Sequence, residues 1–328
     1  MSSAVGSTTP TRPSPDPSAR AGGEVTTGLA AGPQSGSRLP LVLLAPATLL
    51  LLVVLGYPIV RMVTLSLQEA KLRNIVRGDT TWNNFDNYRS IFSDPTFWDV
   101  VLRTVVFAAA CVAATMLLGT LVALLLNRLG RRMRLLVSVG LLMAWSTPVV
   151  TATQVWQWLF DTQYGLVNWA LVSLGLDQFL NYSWLANPLS LLTVAGVVVV
   201  WGAIPFVALT LYAGLTQVPA ELYEAAEVDG ATGWRRFWSI TFPLLAPIFT
   251  ILAALSTIWD FRVFTQVFIL QKAGGITSET NLLGIYAYRT SFAGNDFGAG
   301  AAMSVVMVVL LGGLSLFYVR RMIKEVEA

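Results

Sequence analysis

Residues 219–243 read PAELYEAAEVDGATGWRRFWSITFP. The chain is apolar on both sides of this stretch, through residues 189–213 before it and without a charge from Phe242 to Trp259 after it. The stretch is therefore a polar connector between two helices long enough to cross a bilayer, which takes about 20 residues each. Its own pattern predicts two short helices. Pro219 suits a first helical turn, and Glu221 follows near the positive end of the helix dipole. Asp229-Gly230 ends that helix, with Gly230 able to take the left-handed conformation of a helix terminus. Thr232 is placed to cap the second helix, which carries Arg235, Phe237 and Ile240 before Pro243 opens the next span. Small residues, Ala225 and Ala226, permit close approach by another surface, and the flanking charges supply orientation. Physics alone leaves two readings of equal weight, a docking element for a cytoplasmic partner and an amphipathic connector lying on the membrane.

Outward from the connector, the sequence predicts six spans in all, at about 39–60, 104–126, 135–158, 189–213, 242–270 and 297–319. Long unbroken apolar runs without alternation argue for helices and against a β-barrel. Pro46, Pro58, Pro148, Pro205 and Pro247 fall inside these runs; neighbouring helices in a bundle can satisfy the carbonyls that proline frees. Basic residues decide the orientation. Arg128, Arg131, Arg132 and Arg134 lie between spans two and three, Arg235 and Arg236 in the connector, and Arg320, Arg321 and Lys324 at the C-terminus. The opposite side carries Asp79, Asp86, Asp94, Asp161, Asp177, Glu279 and Asp296, although Lys71, Arg73 and Arg77 also fall there. The bias places both termini in the cytoplasm.

Composition agrees and excludes much else. Of 328 residues, 55% are hydrophobic and only 12% charged, against about 25% charged in a soluble protein. There is no histidine, and Cys111 is the single cysteine. His-based triads, histidine metal sites and cysteine clusters are thereby removed. The net charge of +3 fits basic cytoplasmic loops, not nucleic-acid binding. Residues 1–38 are rich in Ser, Thr, Pro, Gly and Ala and read as a disordered cytoplasmic tail, and 321–328 as a short cytoplasmic end. The membrane-spanning body is then 39–320. Aromatic residues at the outer ends of the spans, from Trp82 to Trp98 and from Trp156 to Trp169, read mostly as interface belts facing membrane lipid.

The connector resembles the EAA loop of importer permeases of the ATP-binding-cassette class. Glu224-Ala225-Ala226, Gly230, Ile240 and Pro243 stand at the spacing of that loop, with Phe242 where leucine is usual. Asp229-Gly230-Ala231 and Phe237 look like the carbohydrate-uptake branch. Tyr57-Pro58-Ile59, Asp94-Pro95, and Phe261-Arg262-Val263-Phe264 followed by Gly274-Gly275 are similar to sugar permeases as well. The resemblance covers roughly residues 40–320. It implies an all-α, six-transmembrane-helix fold of the type I importer kind, in the bacterial plasma membrane. It further implies that the loop 217–241, with Glu224 through Gly230 at its centre, contacts a separate ATPase dimer. The remaining implied partners are a second permease subunit, forming a heterodimer, and an extracytoplasmic sugar-binding protein. The branch favours disaccharides or oligosaccharides. ATP and magnesium would sit on the ATPase and no cofactor on this chain, which lacks the phosphate-binding pattern G-x-x-x-x-G-K-[ST].

Two polar sets inside spans are candidates for the substrate path. Trp259-Asp260-Phe261-Arg262 places two charges in the fifth span, where each costs about 2.5–3.5 kcal/mol unless it faces the bundle interior or water. Asp260 and Arg262 are too close in sequence to face each other on one helix. With Gln266, Phe261 and Phe264 they offer the planar polar groups and aromatic faces that bind sugars. In related permeases the substrate contacts fall near this stretch. Thr153, Gln154 and Gln157 in the third span form the second set, Gln154 and Gln157 sharing a helix face. The competing reading is an ion-coupled secondary transporter of a small polar solute. It would rest on Asp260 alone and leave the connector without a purpose. An intramembrane enzyme has too little chemistry here, with no histidine, no paired carboxylates and no lysine within a span.

Overall fold

A computed structural model describes the backbone of residues 39–327 and the side chains of 43–323. The expected tail, 1–38, lies outside the described residues. In chain order the helices are α1 (Leu39–Leu51), α2 (Tyr57–Ser66), α3 (Leu72–Arg77), α4 (Asp86–Ser93), α5 (Pro95–Arg128), α6 (Arg131–Ser146), α7 (Val149–Leu159) and α8 (Leu166–Ser173). They continue with α9 (Pro188–Leu215), α10 (Ala220–Val228), α11 (Gly233–Arg236), α12 (Phe242–Phe261), α13 (Thr265–Lys272), α14 (Thr277–Thr280), α15 (Leu283–Phe292) and α16 (Phe297–Glu327). A two-stranded antiparallel ribbon, β1 (Gln68–Glu69) with β2 (Thr81–Trp82), is the sheet among the described residues.

Three long helices begin on the same kind of signal. Asp94 accepts the Thr96 N–H at 2.9 Å, Asn187 accepts the Leu189 N–H at 2.9 Å, and Asp296 accepts the Ala299 N–H at 2.9 Å. These side chains satisfy donors that the first helical turn leaves without partners. Pro95 and Pro188 follow two of them, where the missing N–H costs nothing. The Thr96 N–H holds the Asp94 carboxyl below the usual carboxylate range. At the other end of α5, Arg134 donates to the carbonyls of Leu126 and Leu129 at 2.9 and 2.6 Å and lies over the Tyr212 ring. One arginine of the orienting cluster thus also closes a helix.

The core is built around α5 and α9, which run side by side in the same direction. The pairing is visible in register: Gly196 lies against Cys111 and Phe107, and Gly119 against Val207 and Ala208. Three buried clusters stack along the pair. One joins Ile91, Phe97, Val100 and Phe261 to Leu283 and Met303; a second joins Phe107, Leu191 and Val194 to Val267, Leu270 and Ile285; a third joins Ala123, Val207 and Leu211 to Leu245 and Leu252. In lipid the helices gain nothing from hiding apolar surface from each other, so close packing at small residues does the work. A Cβ on Gly119 would come 2.5 Å from Cγ1 of Val207. Gly119→Leu is therefore expected to cost about 1–3 kcal/mol through overpacking, read as a lower melting temperature in detergent.

The spans differ from expectation in shape. Five helices are long and apolar enough to cross a membrane, and a sixth crossing exists if the bent pair Arg131–Ser146 and Val149–Leu159 is one span. The expected third span, 135–158, is thus not straight: its halves meet at 101°. Pro148 is the cause, since it has no N–H and forces Thr147 into an extended conformation, at φ −70° and ψ 126°. The hydroxyls of Ser146 and Thr147 both donate to the Met143 carbonyl that the break exposes. The fifth span is also interrupted, between Phe261 and Thr265. At its N-terminal end the helix loosens into a π turn at Phe237–Thr241, which relieves the clash of Pro243 with the carbonyl one turn back. The second span is longer than expected, running from Pro95.

Candidate functional site

The connector's first helix, its turn and its cap form as the pattern predicts, but the second helix is not a separate short element: α11 runs through the π turn at Phe237–Thr241 into α12 without a break. The N–H groups of Gly230 and Ala231 donate to the carbonyls of Glu227 and Ala226 at 3.0 and 2.9 Å, with Gly230 at φ 72°. This pair of bonds is a Schellman motif. Thr232 then caps α11, its hydroxyl accepting the Arg235 N–H at 3.4 Å. Pro219 sits one place earlier than expected, as the residue preceding the first turn. Two side-chain contacts fasten the hairpin of helices. Arg236 pairs with Glu227 at 3.3 Å, and the hydroxyls of Tyr223 and Thr241 meet at 3.0 Å. What remains outward is Glu224, Ala225, Asp229 and Gly230, all exposed, with Ala226 half-buried. Leu222 and Val228 are exposed too, Val228 to 88%. Phe237 and Ile240 are half-buried, and Phe237 packs edge-on against Trp238. They support the connector from behind, while Pro243 stands exposed at the start of α12.

The polar residues of the fifth span separate. Asp260 is 3% exposed, and its Oδ2 has no hydrogen-bond partner among the described residues. It lines a cavity of about 250 Å³ with Gln266, Trp145, Thr147, Trp201 and Trp259. This cavity lies where the α6–α7 bend and the α12–α13 break face the middle of α9. Broken helices bring backbone ends and polar side chains to the same depth, the arrangement by which membrane helices hold polar solutes. Phe261 instead joins the buried cluster with Phe97 and Leu283. Arg262 is exposed and forms no ion pair with Asp260. Phe264 stacks on Phe268, with ring centroids 5.1 Å apart. Gln154 and Gln157 line a second cavity of about 330 Å³ with Ile269 and Lys272 of α13. Thr153 turns inward, donating to the Val149 carbonyl.

Sequence reasoning missed the tryptophans of the first cavity. Trp201 packs edge-on against Trp156, Trp259 against Phe206, and Phe206 stacks on Trp145. The signal was position. Trp201 lies 13 residues into α9, about 20 Å along the axis, too deep for an interface belt.

Residues 115–325 match the binding-protein-dependent transport system inner membrane component family. The chain belongs to this family of permeases. It is 40% identical to the diacetylchitobiose uptake system permease of Streptomyces coelicolor, over 97% of both chains. It is 34% identical to the trehalose/maltose transport system permease of Thermococcus litoralis, over 71% of this chain and 77% of that one. A crystal structure of a bacterial importer of the acidic polysaccharide alginate shares the fold, with a TM-score of 0.73 at 22% identity, covering 87% of this chain and 95% of that one. The permease is thus a multi-pass protein of the bacterial plasma membrane and a transport subunit, not an enzyme.

Proposed function

We propose that this permease forms half of the path by which a disaccharide or oligosaccharide enters the cell, and that residues 219–243 couple that path to a separate ATPase dimer. The observation that carries the reading is a connector held rigid from within yet exposed along Glu224–Gly230. Relatives named for diacetylchitobiose and for trehalose/maltose uptake support the sugar class. A related alginate importer crystallised with a pentasaccharide-bound periplasmic protein supports an extracytoplasmic binding protein as partner. The second half of the path would be another permease, giving a heterodimer of six-span subunits with cytoplasmic termini. ATP and magnesium would be held by the ATPase, and no cofactor by this chain.

In this reading the exposed face of α10 sits in a groove on the ATPase, with Ala225 and Ala226 allowing close approach and Glu224 and Asp229 fixing orientation. Movement of the ATPase pair reaches α9 and α12 through Tyr223–Thr241 and Arg236–Glu227 as a rigid-body displacement. The Asp260 cavity offers a sugar what its chemistry needs: a carboxylate and an amide as acceptors for hydroxyls, and indole faces for the ring. Gln154 and Gln157 extend the polar lining, and Phe264 and Arg262 border the break. The test is uptake in proteoliposomes holding both permeases, the ATPase and the binding protein, across a panel of labelled sugars. Uptake should require ATP and be greatest for di- or oligosaccharides. Uptake driven by an ion gradient without ATP would overturn the proposal.

A further inference from the structure

One groove among the described residues is unused by the transport reading. It is a groove of about 670 Å³ between α5 and α9, reaching from Arg103 to Leu118 on one helix and from Leu189 to Ile204 on the other. Both intervals are 15 residues, about 22 Å of helix. Ala110, Ala114 and Gly196 keep its floor low, and its walls are apolar. The polar exceptions, Arg103 and Thr193, both lie towards its outer end. Arg103 spends one guanidinium nitrogen on the Asn281 carbonyl, at 3.1 Å. It forms no ion pair among the described residues.

We infer that this groove binds one acyl chain of an anionic glycerophospholipid of the outer leaflet, with the phosphate on Arg103. Shape and charge together favour an acyl chain: the groove is long and apolar, and Arg103 stands at one end of it where a charged headgroup would lie. The groove is long enough to take a chain from the headgroup level past the roughly 15 Å half-thickness of the hydrocarbon core. A cation at its outer end selects for negative headgroups, and an arginine fork matches phosphate oxygens. The groove's wall is α9, which also carries Trp201 into the Asp260 cavity. An occupied groove therefore braces the helix that shapes the transport path. The leaflet rests on the orientation proposed above; the groove and its cation do not.

The test is native mass spectrometry of the full-length permease complex, released from bilayers holding equal phosphatidylglycerol and phosphatidylcholine. Wild type should retain phosphatidylglycerol over phosphatidylcholine by about fivefold. Arg103→Gln should bring the ratio close to unity while keeping a lipid. Gly196→Leu, whose side chain would enter the groove, should remove the retained lipid. Equal retention of the two lipids by wild type, or a ratio unchanged in both variants, overturns the assignment. So does disulfide trapping of Thr193→Cys, in a Cys111→Ser background, to a helix of the second permease. Labelling Gly130→Cys from each side of sealed vesicles reports orientation separately. Labelling from outside would move the site to the inner leaflet without touching the lipid ratio.

Discussion

Gly230→Pro is expected to reduce ATP-driven uptake to background and to lose the ATPase in a pull-down, while Gly230→Asn keeps most of both. The argument is confined to the backbone. Gly230 sits at φ 72°, and a Cβ there would meet nothing within 4 Å. Any loss on substitution therefore comes from conformation and not from crowding. Proline fixes φ near −65° and deletes the N–H that Gly230 donates to the Glu227 carbonyl. The chain could then no longer turn between α10 and α11, and the exposed face of α10 would point elsewhere. Gly230→Val keeps the N–H but strains the left-handed conformation by about 1–2 kcal/mol, so uptake should fall several-fold. Asparagine tolerates that conformation, and this chain already uses it so at Asn84, Asn181 and Asn295, each at φ 55°. The melting temperature of the membrane-embedded part should stay constant across the series. A proline variant that retains both ATPase and uptake would remove the coupling role from the connector.

The connector was legible because local rules decide it. A glycine after an acidic helix end and a threonine two residues later leave few alternatives, and the first helix, the left-handed glycine and the cap stand where the pattern put them, while the second helix merges with the fifth span. The spans were legible as apolar runs but not in shape. Pro148 and Pro205 look alike in sequence, each within an apolar run. Pro205 is accommodated inside α9, while Pro148 marks a bend of 101°. The difference lies in the neighbours. α9 is packed on several sides, and half of its apolar window is buried, whereas α6 has no buried residue to hold it in line. The placement of the polar residues of the fifth span was legible in part for the same reason. The cost of a charge in lipid singled out Asp260, but burial is a property of the fold. It sent Phe261 into a packed cluster and left Arg262 exposed. The helix starts at Asp94-Pro95 and Asn187-Pro188 carried cap signals that hydropathy, counting only apolar length, passes over.

Asp260→Leu is expected to lower the transport kcat/KM by about 10- to 100-fold, the worth of one hydrogen bond to a charged group, about 1.5–3 kcal/mol. It should leave the melting temperature unchanged or raise it. The reasoning compares two buried polar residues on neighbouring helices. Gln271 is fully engaged, donating to Thr280 and Asn281 at 2.9 and 3.2 Å and accepting from Arg289 at 3.0 Å. Its replacement by leucine strands those partners and should destabilise by about 1–3 kcal/mol. Asp260 has an oxygen with no partner among the described residues, and the residue lines a cavity with Trp145, Trp201 and Trp259. An unsatisfied buried polar group lowers stability, so a fold that keeps one there gains something other than stability from it. Asp260→Asn retains one acceptor oxygen and should keep an intermediate rate. Gln266→Leu, which removes a second polar group from the same cavity, should show a smaller loss in the same direction. A pattern in which Asp260→Leu melts earlier and Gln271→Leu does not would assign the structural role to Asp260 and take the sugar path elsewhere.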